Sequence, residues 1–204
     1  VSKSYPKKEL VLQDFMDVEY LALETSDAFL TQGLVQDVGK EYLLVKNRNR
    51  DGDIFIFDRK TGKGLRKINR QGQGAEEYAG INGIILDESN DEIFVMSPGN
   101  KILVYDLYGE FKRCLNLDRE VSSVFDYDKS NLIGYDMSDY HNKGKDRGKS
   151  YHVIISKLDG SITREILIPF KTINTPIVTG DGGFVANYSY QIRLSHGKCT
   201  LLDT

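Results

Sequence analysis

Four short apolar runs separated by turn signals recur along this chain at offsets of roughly 40 to 52 residues, the interval at which self-similarity marks propeller blades. The clearest copy runs from Gly83 to Leu117 as GIILD, EIFVM, KILVY and EFKRCLNL. Aligned on it, EYLLV (Glu41 to Val45), NLIGY (Asn131 to Tyr135) and GFVAN (Gly183 to Asn187) take the place of EIFVM (Glu92 to Met96). The runs are rich in Ile, Val, Phe, Tyr and Leu and are bounded by Gly, Asp, Asn and Ser, which is strand punctuation. Stretches such as Asp53 to Phe57 and Ile102 to Tyr105 are apolar on both alternating faces. A strand of that kind needs sheets on both sides, and blades stacked about an axis supply them.

The expected fold is therefore an all-β propeller of four-stranded antiparallel blades, about four of them within residues 34–204. The blades are placed at about 34–69, 83–116, 122–168 and 176–204. Residues 1–33 fit no blade. Leu10 to Leu12 and Val18 to Leu23 read as leader strands that would close a ring by pairing with the last blade, leaving no open edge. Turn chemistry repeats between third and fourth strands as Asp58 to Gly62, Asp106 to Gly109 and Leu158 to Gly160, the local solution for a hairpin that requires positive φ.

The turn INRQGQGAEEY (Ile68 to Tyr78), the blade GINGIILDESNDEIFVMSPGNKILVYDLYGEFKR and the leader DVEYLALETSDAFL together resemble a six-bladed β-propeller family of Bacteroidetes secreted lipoproteins, related to NHL-repeat propellers. The resemblance implies a turn of the form Gly-x-Gly-Pro-Gly-Glu-Tyr. This chain keeps Gly72, Gly74, Glu77 and Tyr78 but carries Ala75 and Glu76 where Pro and Gly would stand. Members carry about two further blades, so the resemblance implies a partial six-bladed ring; a closed four-bladed ring is the alternative. It further implies an extracytoplasmic lipoprotein, in the periplasm or at the cell surface. Its signal and lipidated Cys, and with them any membrane anchor, would be absent from a chain that starts at Val1 and shows no signal peptide.

Function is less legible. The net charge of −3 is not the strongly basic balance of a nucleic-acid binder, and no run reaches the ~18 apolar residues of a membrane helix. Cys114 and Cys199 form no CxxC pair, so neither a disulfide framework nor a thiolate zinc site is expected. Gly72-Gln73-Gly74 lacks the third glycine and the following helix of a dinucleotide loop. His141, His152 and His196 share no HxH or HExxH spacing, and no GxSxG elbow appears. His141 with Asp139 would be only two ligands. No catalytic residue, metal ligand or cofactor is assigned.

In an antiparallel meander the connections from strand two to three, and from strand four to the next blade, share one end. That end receives Asn47 to Asp51, the Gly72 turn, Ser97 to Asn100 and the insertion Met137 to Lys149, and it collects Arg48, Arg50, Arg70, His141, Lys143, Lys145 and Arg147 as weak candidate ligand-binding residues. The other end receives mainly acids, among them Asp87, Glu88, Glu92, Asp106 and Asp126, so a polarised molecule is expected. A basic rim attracts anionic partners. The leading functional expectation is a non-catalytic extracytoplasmic binding or scaffold propeller that engages a protein or glycan, with no nucleic acid. A propeller hydrolase or lyase with a metal at the channel mouth is the alternative, by fold analogy alone. Homo-oligomerisation through open blade edges is a third reading.

Overall fold

A five- or six-residue apolar run cannot bury itself, and the runs here pair with their chain neighbours into antiparallel sheets. The computed structural model describes residues 9, 11–48, 50–137, 151–167, 190–195 and 198–203. The first sheet holds β1 (Leu34–Val38), β2 (Tyr42–Lys46), β3 (Ile54–Asp58) and β4 (Gly64–Ile68). The second holds β5 (Gly83–Asp87), β6 (Glu92–Ser97), β7 (Lys101–Asp106) and β8 (Phe111–Asn116), and the third β9 (Val121–Asp126), β10 (Asn131–Asp136), β11 (Tyr151–Ser156) and β12 (Ile162–Leu167). Each is a plain meander in chain order. A separate hairpin pairs β13 (Tyr190–Ser195) with β14 (Lys198–Asp203). The start of the expected fourth blade at Pro176 lies outside the described residues, as do His141, Lys143, Lys145, Arg147 and His196.

The sheets stack through their faces, with β1 beside β5 and β5 beside β9 as the innermost strands. Period-two alternation decides which side chain faces which neighbour. In the second blade Leu86, Ile93, Val95, Leu103 and Tyr105 turn toward the first blade and meet Leu44, Ile54 and Ile56 there. The intervening Ile85, Phe94, Ile102 and Val104 turn the other way, onto Val124, Leu132, Val153 and Ile155 of the third blade. Both faces of this middle sheet are thus core.

The remaining face of the first blade carries Leu43, Val45, Phe55 and Phe57, and the leader covers it with Leu23 and Phe29. The Phe29 ring packs 5.6 Å from Phe57, and the backbone of Glu24 donates to the Gly62 carbonyl at 2.8 Å. The leader does this without forming the expected strands. Leu12–Asp14 is a single turn of 3-10 helix, and Val18 to Leu23 have no regular structure, with Tyr20 93% exposed. No strand among the described residues pairs with this segment, so its apolar residues act through packing at Leu23 and Phe29 rather than through a ladder. No helix among the described residues is long and apolar enough to cross a membrane.

Phe94, fully buried between the second and third blades, gives a direct test of face-to-face stacking. Phe94→Ala is expected to cost about 3–5 kcal/mol, whereas Leu158→Ala, at a side chain 78% exposed, changes stability by less than about 0.5 kcal/mol. Urea unfolding midpoints would check both.

Candidate functional site

The two ends of the stacked sheets are built differently. At the end holding the first-to-second and third-to-fourth turns, many of the acidic side chains are taken up in holding the protein together. Asp58 Oδ1 accepts from the backbone of Lys60 and Thr61 at 3.0 and 2.7 Å, Asp106 Oδ1 from Tyr108 and Glu110 at 2.8 and 2.9 Å, and Asp159 Oδ1 from Ser161 at 3.0 Å. Gly62, Gly109 and Gly160 follow at φ of 69°, 87° and 81°, where a side chain would be strained. The repeated Asp-to-Gly spacing is thus explained by turn geometry.

Other acids tie blade to blade. The Glu88 carboxylate accepts from the backbone N–H groups of Lys40, Glu41 and Tyr42 in the first blade, at 2.7, 2.8 and 2.9 Å. Burial pushes this carboxyl up, but the three amide bonds outweigh it and hold it below the ordinary Glu value. Asp37 Oδ2 accepts from Leu86 N at 2.8 Å, and there burial prevails and raises the carboxyl. Between the second and third blades the buried Lys157 ammonium lies 2.6 Å from both Asp87 and Asp126. Arg113 grips Glu92 with two bonds of 2.7 Å and donates to the Lys157 carbonyl at 2.9 Å. Burial pushes Glu92 up; its bonds to Arg113 and Lys112 overcome that and leave it lowered. The expected acidic end therefore presents a partly neutralised, hydrogen-bonded lattice rather than a free negative field.

Exposed cations occur at both ends, Lys40, Lys60, Lys63 and Lys129 among them at the turn end, but at the opposite end two arginines stand beside a cleft. The β2–β3 connection is pinned from behind: Asn47 Oδ1 accepts from Thr31 Oγ1 and Gln32 N at 3.0 and 2.8 Å, Gln32 Oε1 accepts from Arg48 N at 2.8 Å, and Asn69 Nδ2 donates to the Asp51 carbonyl at 2.8 Å. Gly52 at φ 76° completes the bend, since a Cβ there would lie 2.6 Å from Gln71. Held this way, the loop presents Arg48 and Arg50 at the mouth of a cleft of about 270 Å³ between the first and second blades, with Lys46, Gln71 and Asn82 on its walls. Both arginines are exposed, and neither side chain has a hydrogen bond or ion pair among the described residues. A second cleft of about 330 Å³ lies between the second and third blades, lined by Met96, Pro98, Leu117, Val121 and Met137 with Asn82 at its edge.

Arg70 does not join the other two arginines. Its guanidinium crosses to the second blade, donating to the Gly109 carbonyl at 2.8 Å and to Glu110 at 3.0 Å, and it borders a different cleft with Glu76 and Glu77. Its role is to clamp the inter-blade turn. In that turn Tyr78 is fully buried, donates to the Gly52 carbonyl at 2.6 Å and accepts from Arg70 N at 2.8 Å; burial pushes its hydroxyl up to about 12. Tyr105 meets it edge-on at 5.9 Å. Gly72 to Tyr78 thus forms a structural turn, with no helix behind it to hold a phosphate.

Sequence reasoning missed Lys46, Asn82 and the apolar wall of the second cleft. Lys46 and Asn82 sit at the boundaries of β2 and β5, and their shared end of the fold was the available signal. His152 is buried in β11 with its ring 5.4 Å from Tyr135, and burial lowers its pKa. Among the described residues no three His, Cys, Asp or Glu side chains are grouped so as to hold a metal ion.

A family model described as a 6-bladed beta-propeller matches residues 1–203. Among solved structures, a Bacteroides fragilis protein designated as exported aligns with a TM-score of 0.57 at 19% identity, covering 76% of this chain and 43% of its own. BamB from Moraxella catarrhalis aligns at 0.42 and 14% identity, over 65% of this chain and 34% of that one. Saccharomyces cerevisiae Sqt1 aligns at 0.40 and 13% identity, over 79% of this chain and 38% of that one. The chain thus spans less than half the length of each of these structures. No curated protein matches it.

Glu88 offers a pH test of the inter-blade ties. A carboxyl lowered in the folded state contributes stability above its ordinary value of 4.5 and loses it as pH falls through the native-state value. Glu88→Gln is therefore expected to destabilise by about 1–2 kcal/mol at neutral pH, an amount moderated by solvent screening, with the gap from the parent closing under acid. Paired urea titrations at neutral and acidic pH would read it out.

Proposed function

The chain belongs to a 6-bladed beta-propeller family, and from that premise we propose that it is a non-catalytic binding or scaffold propeller outside the cytoplasm, engaging a protein or glycan through the loop end of its blades. The observation that carries this reading is the contrast between the two ends. Acids at the turn end are held by backbone amides and buried cations, whereas Arg48 and Arg50 stand exposed beside an open inter-blade cleft with no partner among the described residues. Keeping two guanidinium groups at the edge of a concavity favours an anionic partner, because the cleft focuses their field. Met137, where the chain enters the Lys- and Arg-bearing stretch that continues to Lys149, lines the neighbouring cleft at the same end. The extracytoplasmic location is proposed with the Bacteroides fragilis neighbour in mind, which is designated as exported.

Retention on acidic glycan arrays and on surface-protein extracts tests this. Retention is expected to weaken with added salt and to fall about tenfold in the Arg48→Ala, Arg50→Ala double variant, the loss of one charge-assisted contact or more. A Lys143→Ala, Lys145→Ala, Arg147→Ala variant is expected to lower it further. Retention indifferent to salt and to both variants would overturn the proposal.

A further inference from the structure

The two loop-end clefts are not independent, because Asn82 lines both. We infer that they are subsites of one groove for an extended peptide bearing an acidic side chain and, three positions along, a bulky apolar one. The inference rests on the loop end being the binding surface and names the class of its ligand.

One subsite has a cationic excess, with Arg48 and Arg50 exposed and Lys46 in its wall, while the two acids that also line it are engaged, Asp51 by Asn47 Nδ2 and Asp53 N and Asp53 by Lys67 and Asn69. The other has a mixed lining in which Met96, Pro98, Ile102, Leu117, Val121 and Met137 form an apolar wall, with Lys101, Glu120 and polar Ser and Asn side chains around it. Methionine walls adapt to apolar side chains of differing shape. Between them stands the exposed Asn82, whose backbone N–H is engaged with the Met96 carbonyl at 2.8 Å while its side-chain amide has no partner among the described residues. A primary amide offers one acceptor and two donors, which answers the donor and acceptor of a peptide unit. Among the described residues neither cleft carries an aromatic side chain in its lining. The Asn82 amide, matched to a peptide unit, and the neighbouring apolar wall together favour a polypeptide over a glycan.

The spacing follows from the fold. The clefts are one blade apart, and stacked sheets lie about 10 Å from one another. An extended polyproline-type chain rises about 3.1 Å per residue with three residues per turn, so side chains three positions apart project on one side about 9 Å apart. The groove also contains a sign of local adjustment: Ser123, which lines the second cleft, has φ 49°, beside the irregular register of β9 on β10. A bulge at such a place re-aims a side chain.

Fluorescence anisotropy on the whole chain separates the readings. The probes are a labelled Ser/Pro-background peptide with Asp and Leu three positions apart, the same peptide with Asn for Asp, one with Asp and Leu adjacent, and a labelled oligogalacturonide. The spaced peptide is expected to bind, and the Asn and adjacent-position peptides to bind about tenfold more weakly. Arg48→Ala with Arg50→Ala, and separately Met137→Ser, are each expected to weaken the spaced peptide several-fold. Equal affinity for spaced and adjacent peptides, or insensitivity to Met137→Ser, overturns the inference. Binding of the oligogalacturonide alone, lost in the arginine variant, overturns the peptide assignment while sustaining the loop-end reading. If no probe binds, the inference falls, and the retention experiment decides the broader proposal by itself.

Discussion

A four-stranded sheet whose two faces are both apolar cannot exist in water by itself, and that single constraint organises this protein. The second blade is the clearest case, with Leu86, Val95 and Leu103 committed to one neighbour and Ile85, Phe94 and Val104 to the other. Burial of these faces provides the main drive for stacking, since each fully covered aliphatic or aromatic side chain is worth about 1.5–3 kcal/mol relative to exposure. Stacking then brings the strand ends of adjacent blades together, and everything polar in the molecule is arranged around that fact. The first blade obeys the same rule with different material: where no sheet among the described residues meets its second face, Leu23 and Phe29 of the leader do.

Apolar stacking is poor at setting exact registration between sheets, because many slid arrangements bury similar area. The directional contacts at the turn end supply what it lacks. Glu88 reads three consecutive amides of the neighbouring blade, Arg113 takes both oxygens of Glu92 and a carbonyl across the interface, and Lys157 sits between two carboxylates. Buried charges of this sort add little net stability over apolar replacements, yet removing one partner strands the other, so they penalise wrong alignments severely.

Most of the fold was legible in the sequence because its signals are local. The bounds of β5, β10 and β11 follow directly from the apolar runs Gly83 to Asp87, Asn131 to Asp136 and Tyr151 to Ser156, and the Asp-to-Gly turns follow from their own chemistry. The leader misled because Val18 to Leu23 has the composition of a strand, while strand formation also requires an edge to pair with. The site was only half legible. Arg48 and Arg50 could be placed by counting loops, but Arg70, at the same end by that count, reaches Gly109 and Glu110 of another blade. The acids of the turn end had suggested a negative face for the same reason: partners such as Glu88 and Lys40, or Asp87 and Lys157, lie 48 and 70 positions apart and leave no trace in local pattern.

The unequal use of polar residues at the two ends bears on how such a protein can change over evolutionary time. Drift at Asp58, Glu88, Asp106 or Lys157 carries a cost in stability, whereas exposed positions such as Arg48, Arg50 and Asn82 are free of that veto. Descendants of one ancestor could therefore diverge in what they recognise while their scaffold stays superimposable, and variation confined to one rim of the vanes is the record such a history would leave.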